Sequence, residues 1–211
     1  MNKRKPPRVN EVILTQQNQI KLWDEGRYER VMITGKTFEE KTLEHIVFDE
    51  VIFNDCIFTQ NTFNRIEFID CVFNRCQFIN NHVENGIVIR TVFNQTKLDG
   101  TIFATSNIEH VCFNACSGRY VGFTQSSLSF VDIHDSDFNE STWFNTTLKQ
   151  LVLDDVDLQN NKVHETRFKD VDLSTCTIDN MTINLPDITG AIIAEHQAKQ
   201  LLKLIGVRIK Y

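Results

Sequence analysis

Between Val51 and Asn80 the chain reads Val-Ile-Phe-Asn-Asp, Cys-Ile-Phe-Thr-Gln, Asn-Thr-Phe-Asn-Arg, Ile-Glu-Phe-Ile-Asp, Cys-Val-Phe-Asn-Arg, Cys-Gln-Phe-Ile-Asn. The centre of every unit is Phe. Working outward in steps of five, the register runs from Phe38 to Ile188, and of its 31 positions only Gly118 is not apolar. Fourteen of the 16 Phe residues lie on it, while Phe130 and Phe144 do not. Two residues before each centre is a second column of mostly small residues, including Cys56, Cys71, Cys76, Thr91, Thr96, Thr101, Ser106, Cys116, Ser126, Ser136, Ser141, Thr146 and Cys176. A helix has a period of 3.6 and a strand a period of 2, so neither explains five. A solenoid does. If each unit makes one short side and a turn, four units close a square coil of about 20 residues with one large and one small residue pointing inward per side. Successive coils then stack at about 4.8 Å, pairing backbone groups above and below.

With this pattern of a small residue, any residue, Leu or Phe and two variable residues, the chain resembles the pentapeptide-repeat proteins. Cys56-Ile-Phe58-Thr-Gln, Cys76-Gln-Phe78-Ile-Asn, Ser136-Asp-Phe138-Asn-Glu and Val156-Asp-Leu158-Gln-Asn carry the likeness. It implies an all-β solenoid, a right-handed quadrilateral β-helix of about eight coils over residues 36–190. Residues 1–35 are expected to form an N-terminal cap, although Trp23, Tyr28 and Ile33 continue the five-residue count. After Pro186 the spacing turns helical through Ala198, Leu201, Leu202 and Ile205, with Gly206 as the expected C-cap, so residues 191–211 are read as a C-terminal capping and dimerisation α-helix with a tail. Val207, Ile209 and Tyr211 alternate with Arg208 and Lys210 like a strand seeking a partner. A homodimer through Ala198, Leu201, Leu202, Ile205, Val207, Ile209 and Tyr211 is the expectation, matching what the quinolone-resistance (Qnr-type) relatives imply.

The 211 residues are 41% hydrophobic and 24% charged, enough for a sizeable core and too apolar for disorder. The start, Met1-Asn-Lys-Arg-Lys-Pro-Pro-Arg, leads into polar sequence rather than an apolar signal core, and no 18-residue apolar run exists. A cytoplasmic protein with reduced thiols, no membrane association and no cofactor is expected. Cys56, Cys76, Cys116 and Cys176 differ by multiples of 20, which places them in one inward column instead of a metal cluster. Asn54, Asn74, Asn94 and Asn114 share that spacing and read as a ladder of stacked amides. His134 with Asp135 and His164 with Glu165 read as solvated surface, and a Phe-filled coil leaves no substrate cavity, so an enzyme is not expected.

The formal charge of -6 conceals a division in which residues 36–190 sum to -12 and each flank to +3. That balance excludes direct nucleic-acid binding through a generally basic surface. Segments 131–140, 151–160 and 171–180 carry nine acids and no Lys or Arg: Asp132, Asp135, Asp137, Glu140, Asp154, Asp155, Asp157, Asp172 and Asp179. Three coils rise about 14 Å, so the stripe holds roughly one negative charge per 1.6 Å, against about 1.7 Å for duplex DNA. The C-terminal half is most similar to Qnr-like proteins of Gram-positive bacteria, in Val111-Cys-Phe113-Asn-Ala-Cys116-Ser-Gly-Arg-Tyr120-Val-Gly-Phe123, in Trp143-Phe144 to Leu153, and in Gln197-Ala198 to Gly206. The resemblance implies a DNA mimic that binds DNA gyrase foremost, with topoisomerase IV as a second partner, and protects it from quinolones. The register never breaks between Phe38 and Ile188, so the projecting loops of Gram-negative protective members are absent, which points to weak protection or simple inhibition. A scaffold or immunity protein for another partner is the alternative.

Overall fold

The computed structural model describes residues 4–10, 14–16 and 20–205. Val207, Ile209 and Tyr211, expected at a dimer interface, lie outside the described residues, as does Gly206. Each five-residue unit forms a strand of about three residues and a bend, and each strand pairs in parallel with the strand 20 residues on. Four such columns make a parallel β-solenoid with a pentapeptide repeat fold. They are the faces of Phe38 and Phe58, of Leu43 and Phe63, of Phe48 and Phe68, and of Phe53 and Phe73. Strands fill about seven turns, from Arg27 to His164; beyond these the coil continues through isolated bridges such as Lys162 with Thr182 and Asp172 with Ile192. The ladder also begins before residue 36, since Tyr28 pairs with Phe48 and Ile33 with Phe53.

The backbone turns its corners in one way. Every fifth residue from Glu25 to Asp170 has a φ between +47° and +67°, the left-handed region that L-residues normally avoid. The conformation aims each corner N–H at a carbonyl of the next coil, as in Asp55 N to Asn74 O at 2.9 Å and Arg75 N to Asn94 O at 2.9 Å. A repeated local strain is thereby offset by a repeated hydrogen bond.

Inside, the rings follow the coil spacing. Along the Phe53 column they stack, with Phe53 to Phe73 at 4.6 Å, Phe73 to Phe93 at 4.7 Å and Phe93 to Phe113 at 5.0 Å. Around a coil they meet edge to face, as do Phe48 and Phe53 at 75°. Both arrangements suit the ring quadrupole. The small column carries polar groups at little penalty, because most of them donate to nearby carbonyls: Thr91 Oγ1 to Phe68 O and Ile89 O, both at 3.2 Å, and Cys71 Sγ to Phe48 O at 3.4 Å. Cys56, Cys76, Cys116 and Cys176 sit in it, free and buried as the spacing predicts. Burial holds the Cys116 thiol up at about 12 and that of Cys176 at about 11, so both stay protonated and inert. Gly118 interrupts the large column because the Phe138 ring of the next coil occupies its space: a Cβ at 118 would stand 2.9 Å from that ring.

The C-terminal segment closes the coil with three short helical pieces, Glu195–Gln197, Ala198–Leu201 and Leu202–Ile205, rather than one regular helix. Gln197 is buried and finishes the last turn, donating from Nε2 to Leu173 O at 2.8 Å and Cys176 O at 2.7 Å while Oε1 accepts Ala194 N at 2.8 Å. Leu201 and Leu204 pack partly on the core.

Candidate acidic interaction surface

Two strands are unlike the rest. Ser127–Asp137 and Thr147–Asp157 are each 11 residues long and continue around corners that end the other strands, joining the Phe48 and Phe53 faces into one 13-stranded sheet. They pair in register along nearly their whole length, bringing His134 beside Asp154 and Asp137 beside Asp157. Six of the nine predicted acids lie on these two strands. Asp135 and Asp155 occupy successive corners of one edge, with φ of +48° and +52°, a coil step of about 4.8 Å apart.

The nine acids differ in surroundings. Asp135, Asp154, Asp155, Asp172 and Asp179 are exposed, while Asp132, Asp137, Glu140 and Asp157 are half-buried. Asp137 and Asp157 each accept a backbone N–H two residues on, from Asn139 at 2.9 Å and Gln159 at 2.8 Å, which fixes their carboxylates at the bend. Asp172 accepts from Ser174, and these bonds hold its carboxyl below the usual range and therefore ionised. Glu140 accepts the Tyr120 hydroxyl at 3.0 Å, and Asp179 accepts Gln200. Like charges stacked on neighbouring strands are a cost to the fold.

Arg119 and Arg4, from outside these segments, nevertheless reach the stripe. Arg119, from the preceding coil, lies 3.8 Å from Asp137. Arg4 binds Asp132 at 2.7 Å, from 128 residues away. Arg4 belongs to an N-terminal arm, residues 4–10, that lies along the corner between the Phe48 and Phe53 faces. Lys5 N donates to His110 Nδ1 at 3.2 Å and Arg8 N to Asp70 Oδ1 at 2.9 Å. Asp70 in turn holds Arg90 through two oxygens, at 2.7 and 2.6 Å, and His110 stacks on Phe130. Arg4, His110 and Asp70 were not among the expected site residues, although one signal was present. The outward position before each centre on this face reads Ile52, Val72, Val92 and Cys112, an apolar run where solvated positions are usually polar, and Ile52 and Cys112 are buried.

Of the residues expected in a dimer interface, Ala198, Leu201 and Leu202 are half-buried on the terminal segment. His134 and His164 lie near carboxylates, 3.8 Å from Asp154 and 3.7 Å from Glu165, on the surface. Asn74 donates to Asn54 at 2.9 Å and Asn94 to Asn74 at 3.0 Å, forming the amide ladder that the spacing predicts. Among the described residues no group of three or more His, Cys, Asp or Glu is placed to hold a metal, and no helix is long and apolar enough to cross a membrane.

The repeating unit has counterparts among known proteins. The family model for the pentapeptide repeat region matches residues 66–143. Among solved structures, QnrB1, a plasmid-mediated fluoroquinolone resistance protein, aligns in its trypsin-treated form at 14% identity and TM-score 0.41, covering 88% of this chain and 100% of that one. HetL, involved in heterocyst differentiation regulation in the cyanobacterium Nostoc sp. strain PCC 7120, aligns at 7% identity and TM-score 0.30, covering 82% of this chain and 92% of that one. No curated protein matches the sequence.

Proposed function

We propose that the protein is a non-enzymatic DNA mimic that binds a type II topoisomerase, chiefly DNA gyrase, and protects it from quinolones, giving low-level fluoroquinolone resistance. The supporting observation is the acidic edge built on Ser127–Asp137 and Thr147–Asp157, where carboxylates recur at the coil spacing on a rigid paired scaffold. Regular negative charge on a rod is what a basic DNA-binding saddle recognises. The edge would be presented twice, by a homodimer joined through Ala198, Leu201, Leu202 and the residues after them. The function itself follows from the sequence resemblance to Qnr-like proteins, and the acidic edge supplies its mechanism. In a supercoiling assay with purified gyrase from the source bacterium, the protein is expected to restore activity in the presence of ciprofloxacin. Inhibition without rescue would leave mimicry without protection, and no effect in either arm would turn the reading to a scaffold for another partner.

A further inference from the structure

We propose that the N-terminal arm is a strap that covers the Asp132 end of the acidic surface in cis, so that a partner engaging that end must first displace it. The proposal rests on the acidic-surface reading and adds its regulation. The arm's geometry is that of a straight track. Its contacts fall on Asp132, His110 and Asp70 in the order Arg4, Lys5, Arg8, so it runs down three coils, about 14 Å. Four residues of extended chain span about 13–14 Å. Pro6 and Pro7 lie at the middle of this span and favour extended backbone, so less freedom is lost on docking.

The contacts that hold it to the stripe include one ion pair, whose side chains remain 23% and 22% exposed, and two backbone N–H bonds. Arg4 Nη1 is buried with no hydrogen-bond partner, an uncompensated cost that undocking relieves. Arg4 also lines an open groove of about 1030 Å³ together with Asp132, Asp154 and Asp172, so a partner's cation entering there meets the strap's own guanidinium.

The chain carries a reporter. Cys112 is the one cysteine outside the inward small column; it pairs with Asp132 across the ladder and stands two residues from His110, hence between the strap's first two anchors. In the wild type its thiol is expected to react slowly with Ellman's reagent. Arg4→Glu with Arg8→Pro, which reverses the ion pair and removes the N–H given to Asp70, should expose one thiol, not six, at least about tenfold faster. Arg4→Glu with Asp132→Arg should restore protection. An unchanged rate in the first variant overturns the strap. Because reaction of all six thiols would report unfolding, the unmodified chain is also followed with rising NaCl. Screening of the pair should raise the Cys112 rate severalfold, and a salt-independent rate overturns the proposal. A labelled peptide of residues 3–9 should bind Arg4→Glu at least about fivefold tighter than wild type, and equal binding overturns the competition. Gyrase that binds no form of the protein, alongside the expected Cys112 and peptide results, would sink the topoisomerase reading and leave the strap standing.

Discussion

At the residue scale, Gly118 and Phe138 form a size exchange between neighbouring coils. The ring that fills the glycine's space makes the missing side chain a requirement of packing. Gly118→Leu is expected to cost about 1–3 kcal/mol through overpacking, and Phe138→Ala about 3–5 kcal/mol through the cavity it opens. The double variant should lose less than the sum, and strict additivity in urea denaturation would refute the exchange. His110 gives a second residue-level expectation. Its Nδ1 accepts from Lys5 N, so the docked imidazole is neutral, and burial holds its pKa below the ordinary 6.5, against the opposing pull of Glu109 and with Lys5, Arg90 and Arg4 adding to the depression. Phe130 closes the other side of the ring. Docking strength is therefore complete above about pH 6.5 and declines as the pH falls through the lowered value. The ratio of Cys112 rates in wild type and Arg4→Glu, which cancels the thiol's own ionisation, should approach one on acidification; a flat ratio between about pH 7.5 and 5 would exclude this role.

At the element scale, the corners and the ladders carry different tolerances. The left-handed corners hold Asp, Asn, Glu, Gln, Arg, Gly and a few others but never Val or Ile. Gln125→Val at an exposed corner is expected to cost about 1–2 kcal/mol where Gln125→Gly costs little, read as the difference in thermal midpoint. On the two long strands, stacked like charges work against pairing. Asp155→Asn with Asp157→Asn should raise the midpoint slightly at low salt while weakening gyrase binding and flattening its salt dependence. Unchanged affinity would remove the acidic edge from the mechanism. The register, both inward columns and the amide ladder were legible in the sequence because each is a same-spacing relation between side chains. The corners were not, since their strain belongs to the backbone and their residue types vary. Nor was the buried pair Asn61 and Asn81, where Asn81 Oδ1 accepts both from Asn61 N at 3.0 Å and from Asn61 Nδ2 at 2.9 Å, because two positions are too few to show a period.

At the scale of the whole molecule, charge distribution and ends dominate. The acidic segments were legible from a coil of 20 residues, but Arg4 reaches Asp132 over a separation no repeat encodes, so the stripe is partly neutralised by a segment that reads as a separate basic cap. The helical close was legible as spacing, and its division into short pieces was not. In the dimer proposed there, Leu202→Glu, at a half-buried position on the terminal segment, should give monomer in sedimentation equilibrium without lowering the unfolding free energy by more than about 1 kcal/mol. A wild type that sediments as a monomer would remove the two-fold from the gyrase reading.

Gln197 has a consequence for assembly. A parallel stack of near-identical turns has the geometry of a growing fibril, and its last turn would be a template for any other chain with the same step. One amide, spent on the carbonyls of Leu173 and Cys176, denies that template two of its acceptors. Gln197 thus acts as a conformational chain terminator at these two positions, and Gln197→Ala is expected to expose acceptors to a second chain rather than merely loosen a helix.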